Sequence, residues 1–371
     1  MTEGHRRITV GLLFGGRSAE HEVSRASAAN VLRAIDPDRY QVTLIGIARD
    51  GRWLLCDSGN GAGTGAAALT VPDKARELAL VPGGRGRFVL CDGDDTRGGD
   101  APCVDVVFPC LHGPNGEDGT VQGALELADV AYVGSAVTGS ATAMDKDIAK
   151  RLIRDAGLPV VPFMTMTATS RIEYAAAIAG IGATDLFLKP ASLGSSVGVS
   201  RARSDAEFAA GCELALRYDR KVLIEQRVDA AREIECSVLE DAAGQILASQ
   251  PGEIVPASRH SFYSYEAKYI DAAGAELRIP ANVSPEQTAR FRQLAIEVFR
   301  ALGCEGMARI DFFLSGDRIF VNEANTLPGF TSISMYPKLW EASGLSQCEL
   351  MDKLIGHALA RHERRRVLSY L

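Results

Sequence analysis

The densest chemistry in the chain lies between residues 307 and 325. The segment reads Met-Ala-Arg-Ile-Asp-Phe-Phe-Leu (307–314), a Ser-Gly-Asp turn, then Arg-Ile-Phe-Val-Asn-Glu-Ala-Asn (318–325). As a hairpin its side chains alternate faces with period two. Arg309 and Asp311 then share one face of the first strand, and Glu323 and Asn325 one face of the second. Val321 has the same parity as Glu323, so that face is not purely polar. Whether the polar sets meet depends on register. A two-residue Gly316-Asp317 loop sets Asp311 opposite Asn322, on the wrong face. A three-residue Ser315-Gly316-Asp317 loop sets Arg309 opposite Glu323. If they meet, Asp311, Glu323 and Asn325 cluster hard oxygens suited to Mg²⁺ bound jointly with phosphates, and Arg309 offsets charge developing beside them. A solvated hairpin face with ordinary ion pairs is the plain alternative.

Three other signals carry chemical potential, one of them a pair of loops. Lys189-Pro-Ala-Ser-Leu-Gly-Ser-Ser-Val-Gly198 has small residues whose backbone N–H groups can turn toward an anion, with hydroxyls as further donors. It lacks the Walker pattern and joins two strands, so it reads as a flap over phosphates or as a flexible turn. Gly15–Glu22 and His112-Gly-Pro-Asn-Gly-Glu-Asp-Gly119 follow two apolar strands at the end where open α/β sheets bind ligands. Glu20 and Glu117 suit an ammonium group, with His112 orienting one of them; the plain reading is a carboxylate at a helix start. The fourth is Ser261-Phe-Tyr-Ser-Tyr-Glu-Ala-Lys268-Tyr269, inside a polar-aromatic stretch, 253–278, long enough to be a lid. Lys268 suits a phosphate and Tyr269 a substrate.

The elements that must position these groups follow from patterning. Residues 8–14, 42–47 and 104–108 are short apolar runs typical of buried parallel strands, and Ser18 is placed to cap a helix bearing Val23, Val31 and Ile35. A helix starts near Val121. Asp147–Ala156 is a helix stopped by Gly157. Strands at 186–189 and 197–201 flank the Gly/Ser loop, Ser204-x-x-Glu207 is a capping box, and 221–226 is a strand. Strands at 234–239 and 245–249 precede the long stretch, and Ser284-Pro-x-Gln287 opens an amphipathic helix ending at Gly303. Asp57–Ala68 and Cys91–Ala101 read as surface loops. The pattern is α/β, with an open parallel N-terminal unit and boundaries near 134 and 228.

Composition narrows the classes. Forty Lys+Arg against 47 Asp+Glu argue against a nucleic-acid or anionic-membrane binder. No apolar run reaches the roughly 18 residues of a membrane span. Eight cysteines without a C-x-x-C pair read as reduced thiols of a cytoplasmic protein rather than a zinc site or disulfide framework. Gly15-Gly16-Arg17 after the first strand departs from G-x-G-x-x-G, against a dinucleotide-dependent dehydrogenase. The C-terminal Arg361-His362-Glu363-Arg364-Arg365-Arg366 reads as a solvated helix end.

In combination these segments resemble the D-alanine–D-alanine ligases of the ATP-grasp superfamily. The matching pieces are Gly15-Gly-Arg-Ser-Ala-Glu-His-Glu-Val-Ser24, His112-Gly-x-x-Gly-Glu-Asp-Gly119, Met144-Asp-Lys146, Lys189-Pro with Gly194-Ser-Ser-Val-Gly198, Phe262-Tyr-x-Tyr-Glu-Ala-Lys-Tyr269, Gly306-x-x-Arg-x-Asp311, and Asn322-Glu-Ala-Asn-Thr-x-Pro-Gly329 followed by Ser334-Met335. They keep family order over almost the whole chain.

The resemblance implies a three-domain ATP-grasp fold: an N-terminal α/β substrate domain (1–134), a central subdomain (135–228) and a C-terminal catalytic domain (229–371), the last two α+β and enclosing ATP. It implies Asp311, Glu323 and Asn325 as ligands for two Mg²⁺ ions, with Mn²⁺ as a substitute. Lys146, Lys189, Ser196 and Lys268 match the phosphate side of ATP, and Glu225 and Glu233 the adenosine side. Glu20, His112 and Glu117 match the first D-alanine site, and Ser195 and Tyr269 complete a hydrogen-bond triad with Glu20. Arg309 and Gly329 match the oxyanion stabilisers, and Ser334 and Met335 the second D-alanine site. The implied reaction passes through an acylphosphate and serves peptidoglycan precursor synthesis, in a cytoplasmic homodimer. The rivals are a D-Ala–D-Ser or D-Ala–D-Lac ligase of the same family and a catalytically silent ATP-grasp binding protein.

Overall fold

A computed structural model describes residues 6–56, 68–91, 101–256 and 275–368. Its described residues form three sheets. The first contains β1 (Ile8–Gly15), β2 (Tyr40–Ile47), β3 (Trp53–Cys56), β4 (Glu77–Leu80), β5 (Phe88–Leu90), β6 (Val106–Cys110) and β7 (Ala131–Tyr132), in the order β5-β4-β3-β2-β1-β6-β7. β1 runs parallel to β2 and β6, and β6 to β7. Both faces of β1 are covered, which explains its unbroken apolar run. Val10, Leu12 and Phe14 pack under α1 (His21–Ala34) and α9 (Gln347–Arg366), while Leu13 faces α2 (Thr120–Leu127).

Two expectations change here. The sheet is not purely parallel, because β3, β4 and β5 extend it antiparallel. These strands are only three or four residues long, too short for a periodic signal. Nor does Ser18 cap the helix. Its hydroxyl accepts from the Glu20 N–H at 3.1 Å, closing a local turn, and Glu20 takes the N-cap position without a side-chain cap bond. The Glu20 carboxylate is thereby left to accept from the Ser195 hydroxyl.

The second sheet runs β10-β9-β11-β8, from β8 (Phe163–Thr167), β9 (Leu186–Pro190), β10 (Ser200–Ala202) and β11 (Lys221–Gln226). One face is covered by α5 (Tyr174–Ile181) and α6 (Asp205–Leu216) around Leu186, Leu188, Val222 and Ile224. Ser204 caps α6 through its side chain, but Glu207 does not complete the expected box, since its carboxylate accepts from the Arg203 N–H at 2.7 Å.

The third sheet runs β15-β14-β12-β16-β17, from β12 (Arg232–Glu240), β14 (Gly252–Pro256), β15 (Ala275–Arg278), β16 (Met307–Ser315) and β17 (Arg318–Asn325), with β13 (Ile246–Ala248) also pairing with β12. The 253–278 stretch is thus not loop throughout, because its ends pair as β14 and β15. Residues 257–274, with Lys268 and Tyr269, lie outside the described residues. α7 (Pro285–Ala301) has the full capping box: Gln287 N–H donates to Ser284 Oγ at 3.2 Å, and Ser284 N–H donates to Gln287 Oε1 at 3.1 Å. Its Phe291, Leu294 and Val298 seal one face of the sheet against Ile310, Phe312 and Leu314, so the opposite face of β16 is left for the site.

α3 (Val137–Met144) leads into α4 (Lys146–Asp155), and α8 (Met335–Ala342) precedes α9. No helix among the described residues is long and apolar enough to cross a membrane. The basic C-terminus is not solvated as a block. Arg361 is buried, donates to the Gly134 and Tyr132 carbonyls at 2.6 and 2.8 Å, and stacks over the Tyr132 ring.

Candidate active site

The register of the hairpin differs from both sequence alternatives. The turn is the two-residue one, with Ser315 opposite Arg318 and Phe312 opposite Val321, but between Phe312 and Asp311 the pairing slips by one residue. Asn322 is the extra residue of a β-bulge. Beyond it Asp311 faces Glu323, and Arg309 faces Asn325. A one-residue shift moves side chains to the other face, which resolves the parity conflict. Val321 and Ala324 are buried on the α7 side, while Asn322 and Glu323 between them are not.

The polar sets therefore meet. Arg309 forks Asp311 with two bonds of 2.7 Å and pairs with Glu235 of β12 at 3.0 Å. Asn325 Nδ2 donates to Asp311 Oδ2 at 3.0 Å. Glu323 lies 3.2 Å from Lys146 Nζ. Asp145 caps α4 by accepting from the Asp147 and Ile148 N–H groups, which sets Lys146 on the first turn, aimed at the hairpin. Among the described residues no group of three or more His, Cys, Asp or Glu could hold a metal. Asp311, Glu323 and Asn325 are an all-oxygen set of two carboxylates and an amide, short of a full coordination shell. That fits Mg²⁺, which completes its shell from water and phosphate.

A cavity of about 290 Å³ opens beside this set, between the second and third sheets, lined by Lys146, Lys189, Ser195, Ser196, Glu225 and Glu233 among others. Glu225 on β11 is buried and ion-paired with both Lys150 of α4 and Lys189 of β9. Burial would raise its pKa, but the two lysines hold it down at about 2. Glu225 lifts Lys189 above its ordinary value in spite of burial. Ser195 and Ser196 both sit at positive φ, 54° and 57°, an uncommon region for residues other than glycine. This turn brings Ser195 Oγ to Glu20, where it donates to Oε1 at 2.5 Å. The flap is closed onto the loop that follows β1.

Around Glu20 the other first-site residues assemble. Gly113 is close enough that a Cβ there would lie 3.1 Å from Glu20 Oε2. His112 is buried, with Nδ1 3.0 Å from the Leu327 carbonyl and Nε2 3.2 Å from Ser27 Oγ. A carbonyl only accepts, so Nδ1 carries the proton and Nε2 accepts from Ser27. Ser27 Oγ in turn accepts from the Phe330 N–H at 3.1 Å. Burial lowers the His112 pKa against the pull of Glu20, keeping the ring neutral. The Glu117 carboxyl accepts from Gly113 N–H at 2.9 Å; burial, then the nearby Glu20, pushes its pKa up to about 8.

The 326–335 segment completes the arrangement. A Cβ on Gly329 would come within 2.8 Å of Ser334 Oγ, so the missing side chain admits that hydroxyl. Ser334 Oγ lies 2.7 Å from Thr331 Oγ1 and accepts from its N–H at 2.9 Å. Met335 is buried against Ile254 and Leu339.

Residues 9–135 match the family described as D-ala D-ala ligase N-terminus, and residues 152–356 that described as D-ala D-ala ligase C-terminus. The chain belongs to the D-alanine–D-alanine ligase family. Among relatives in this ligase family, D-alanine–D-alanine ligase B of Bradyrhizobium diazoefficiens is 72% identical, covering 100% of this chain and 98% of that one. The solved D-alanine-D-alanine ligase of Coxiella burnetii superposes with a TM-score of 0.83 at 35% identity, covering 97% of this chain and 96% of that one. The VanG D-Ala:D-Ser ligase of Enterococcus faecalis superposes with a TM-score of 0.80 at 33% identity, covering 95% and 100%. The fold of the ligase family member described here is thus the ATP-grasp fold.

Sequence reasoning missed Glu235, Lys150 and Ser27. Glu235 shares strand parity with Glu233, and Lys150 stands four residues after Lys146 on one helix face; both were legible as spacing. Nothing local marks Ser27, whose partners are His112 and Phe330.

Proposed function

We propose that this chain joins two D-alanine molecules into D-alanyl-D-alanine, converting ATP to ADP and phosphate, for peptidoglycan precursor synthesis. The observation that carries this reading is the convergence of Asp311 and Glu323 with Lys146 and Lys189 on one cavity, with Arg309 and Asn325 bonded to Asp311 behind them and Glu20 bound to the flap. Glu20, His112 and Glu117 position the first D-alanine. Its carboxylate attacks the γ-phosphorus of ATP, the bond to the ADP oxygen breaks, and an acylphosphate results. Lys146, Lys189, Ser196 and Lys268 face the phosphates, and Glu225 and Glu233 the adenosine. Asp311, Glu323 and Asn325 would hold two Mg²⁺ ions, or Mn²⁺, which when bound neutralise phosphate charge. Positioning and charge compensation are nearly all that a protein contributes to such a transfer.

The amine of the second D-alanine, held at Ser334 and Met335, then attacks the acyl carbon. Arg309 and the Gly329 N–H stabilise the tetrahedral oxyanion, and phosphate leaves as the C–N bond becomes an amide. Acylphosphates hydrolyse readily, so the closed flap, with Ser195, Glu20 and Tyr269 as its latch, excludes water. We further propose domains 1–134, 135–228 and 229–371, a cytoplasmic location and a homodimer.

The full-length chain with Mg²⁺ and ATP releases phosphate only when D-alanine is added, and mass spectrometry finds the dipeptide. Phosphate without dipeptide sinks the reading. The structural likeness to a D-Ala:D-Ser ligase favours D-serine as the rival second substrate, since one hydroxyl is a small difference for a pocket to refuse. Equimolar D-alanine and D-serine with D-lactate decide between them by product ratio.

A further inference from the structure

Behind the cavity stands a buried cation to which the proposed chemistry gives no part. Lys150 lies one turn after Lys146 on α4, and its side chain is 1% exposed. Its Nζ is 3.1 Å from Glu225 Oε2 but makes no aligned hydrogen bond among the described residues. Removing an ammonium from water on such terms is strongly unfavourable unless something else is gained. The same carboxylate holds Lys189, so two ammonium groups share one buried negative charge. Of these two lysines, Lys189 is the one that lines the cavity. It also reaches toward the hairpin, with Nζ 3.4 Å from Asn322 Oδ1.

An anion entering the cavity competes with Glu225 for Lys189. If Lys189 were that carboxylate's partner alone, its departure would strand a buried charge, and the nucleotide would lose in one place what it gained in another. We propose that Lys150 is a positioning residue for the polyphosphate: it stays on Glu225 as the permanent counter-ion, so that Lys189 is free to move onto the phosphates. This rests on reading the cavity as the ATP site. Lys150 itself touches no nucleotide. Its effect is confined to the share of affinity that the phosphates supply, and the base and ribose are indifferent to it.

Isothermal titration of the full-length chain with ATP and with adenosine tests the proposal, the readout being the ratio of the two affinities. K150M weakens ATP by about tenfold or more, the scale of one charged hydrogen bond, and leaves adenosine within about twofold. K150R keeps the charge and keeps the wild-type ratio. In the E225Q background no carboxylate holds Lys189, so E225Q and K150M/E225Q share one ratio; taking the ratio cancels any loss of base contact. That pair carries the test even should K150M fail to fold, because the double variant buries neither charge. An unchanged ratio in K150M, or a K150M/E225Q ratio about tenfold below that of E225Q, overturns the proposal alone. A wild-type chain that binds no ATP overturns the cavity reading and the proposal with it.

Discussion

The two flanks of the cavity hold their functional groups by different means. On the β16–β17 flank, Arg309 is forked on Asp311 and paired with Glu235, and Glu323 answers Lys146. These groups sit on paired strands whose other face is sealed by α7. On the flap flank, Ser195 reaches Glu20 by a neutral hydroxyl, from two consecutive non-glycine residues at positive φ. Such conformations cost of order 1 kcal/mol each and persist only where the surroundings impose them. On the function proposed above, the hairpin flank is preorganised for charge that develops during the reaction, and the flap flank is a closure that forms and releases at each turnover. Substitutions on the first flank should therefore cost both chemistry and stability, and on the second chiefly substrate affinity.

Ala324→Glu is the severest way to break the comparison. Ala324 faces the α7 core opposite Ile310, whereas an unbulged two-residue hairpin would set it on the site face, so the substitution buries an unpaired carboxylate. We expect a loss of more than about 3 kcal/mol in denaturant unfolding, the scale of an uncompensated buried charge, together with no measurable phosphate release. An Ala324→Glu variant of near-normal stability would refute the register account. Next, Arg309→Met should lower kcat by about 10²–10³, as for loss of one oxyanion donor, and lower the unfolding midpoint because Asp311 and Glu235 lose their shared cation. Steady-state kinetics beside a thermal melt separate these effects.

Glu117 tests the flap flank through pH. Its pKa stands at about 8 in the fold against an ordinary 4.5, so the folded chain keeps a proton that the unfolded chain gives up. Its stabilising contribution is full below about pH 4.5 and is lost as pH rises toward 8. Glu117→Gln removes that loss. It should be about 1–3 kcal/mol more stable than the parent at pH 8, relative to their difference at pH 4. Parallel stability curves for the two proteins would contradict the protonated assignment. Finally, Ser195→Ala should raise the KM for D-alanine by about fivefold, one neutral hydrogen bond, with the unfolding midpoint unmoved. A large drop in stability would place Ser195 with the hairpin, and the contrast between the flanks would fail.

Much of this was legible in residue types and spacing. The capping box at Ser284, the amphipathic α7, the hairpin and its charged residues all announce themselves locally, because each is determined by neighbours within a few positions. The bulge does not, since Asn322 looks like any strand residue until the pairing partner is known. The short strands β3, β4 and β5 carry too few residues to show a period. Ser27 takes its meaning from His112 and Phe330, far away in the chain, and the helix start at His21 was misjudged because the Ser18 hydroxyl serves a turn instead of the helix.

In the proposed reaction, the Ser195–Glu20 bond joins a loop that covers nucleotide to a carboxylate that holds an amino acid. If closing the flap on ATP raises the affinity for the first D-alanine by some factor, D-alanine must raise the affinity for ATP by that same factor, because linkage between two binding sites is reciprocal. On the proposed assignment of the two pockets, a hydroxyl 2.5 Å from a carboxylate would make each substrate an activator of the other's binding, and an inhibitor that occupies both pockets would gain from the coupling as well as from its contacts.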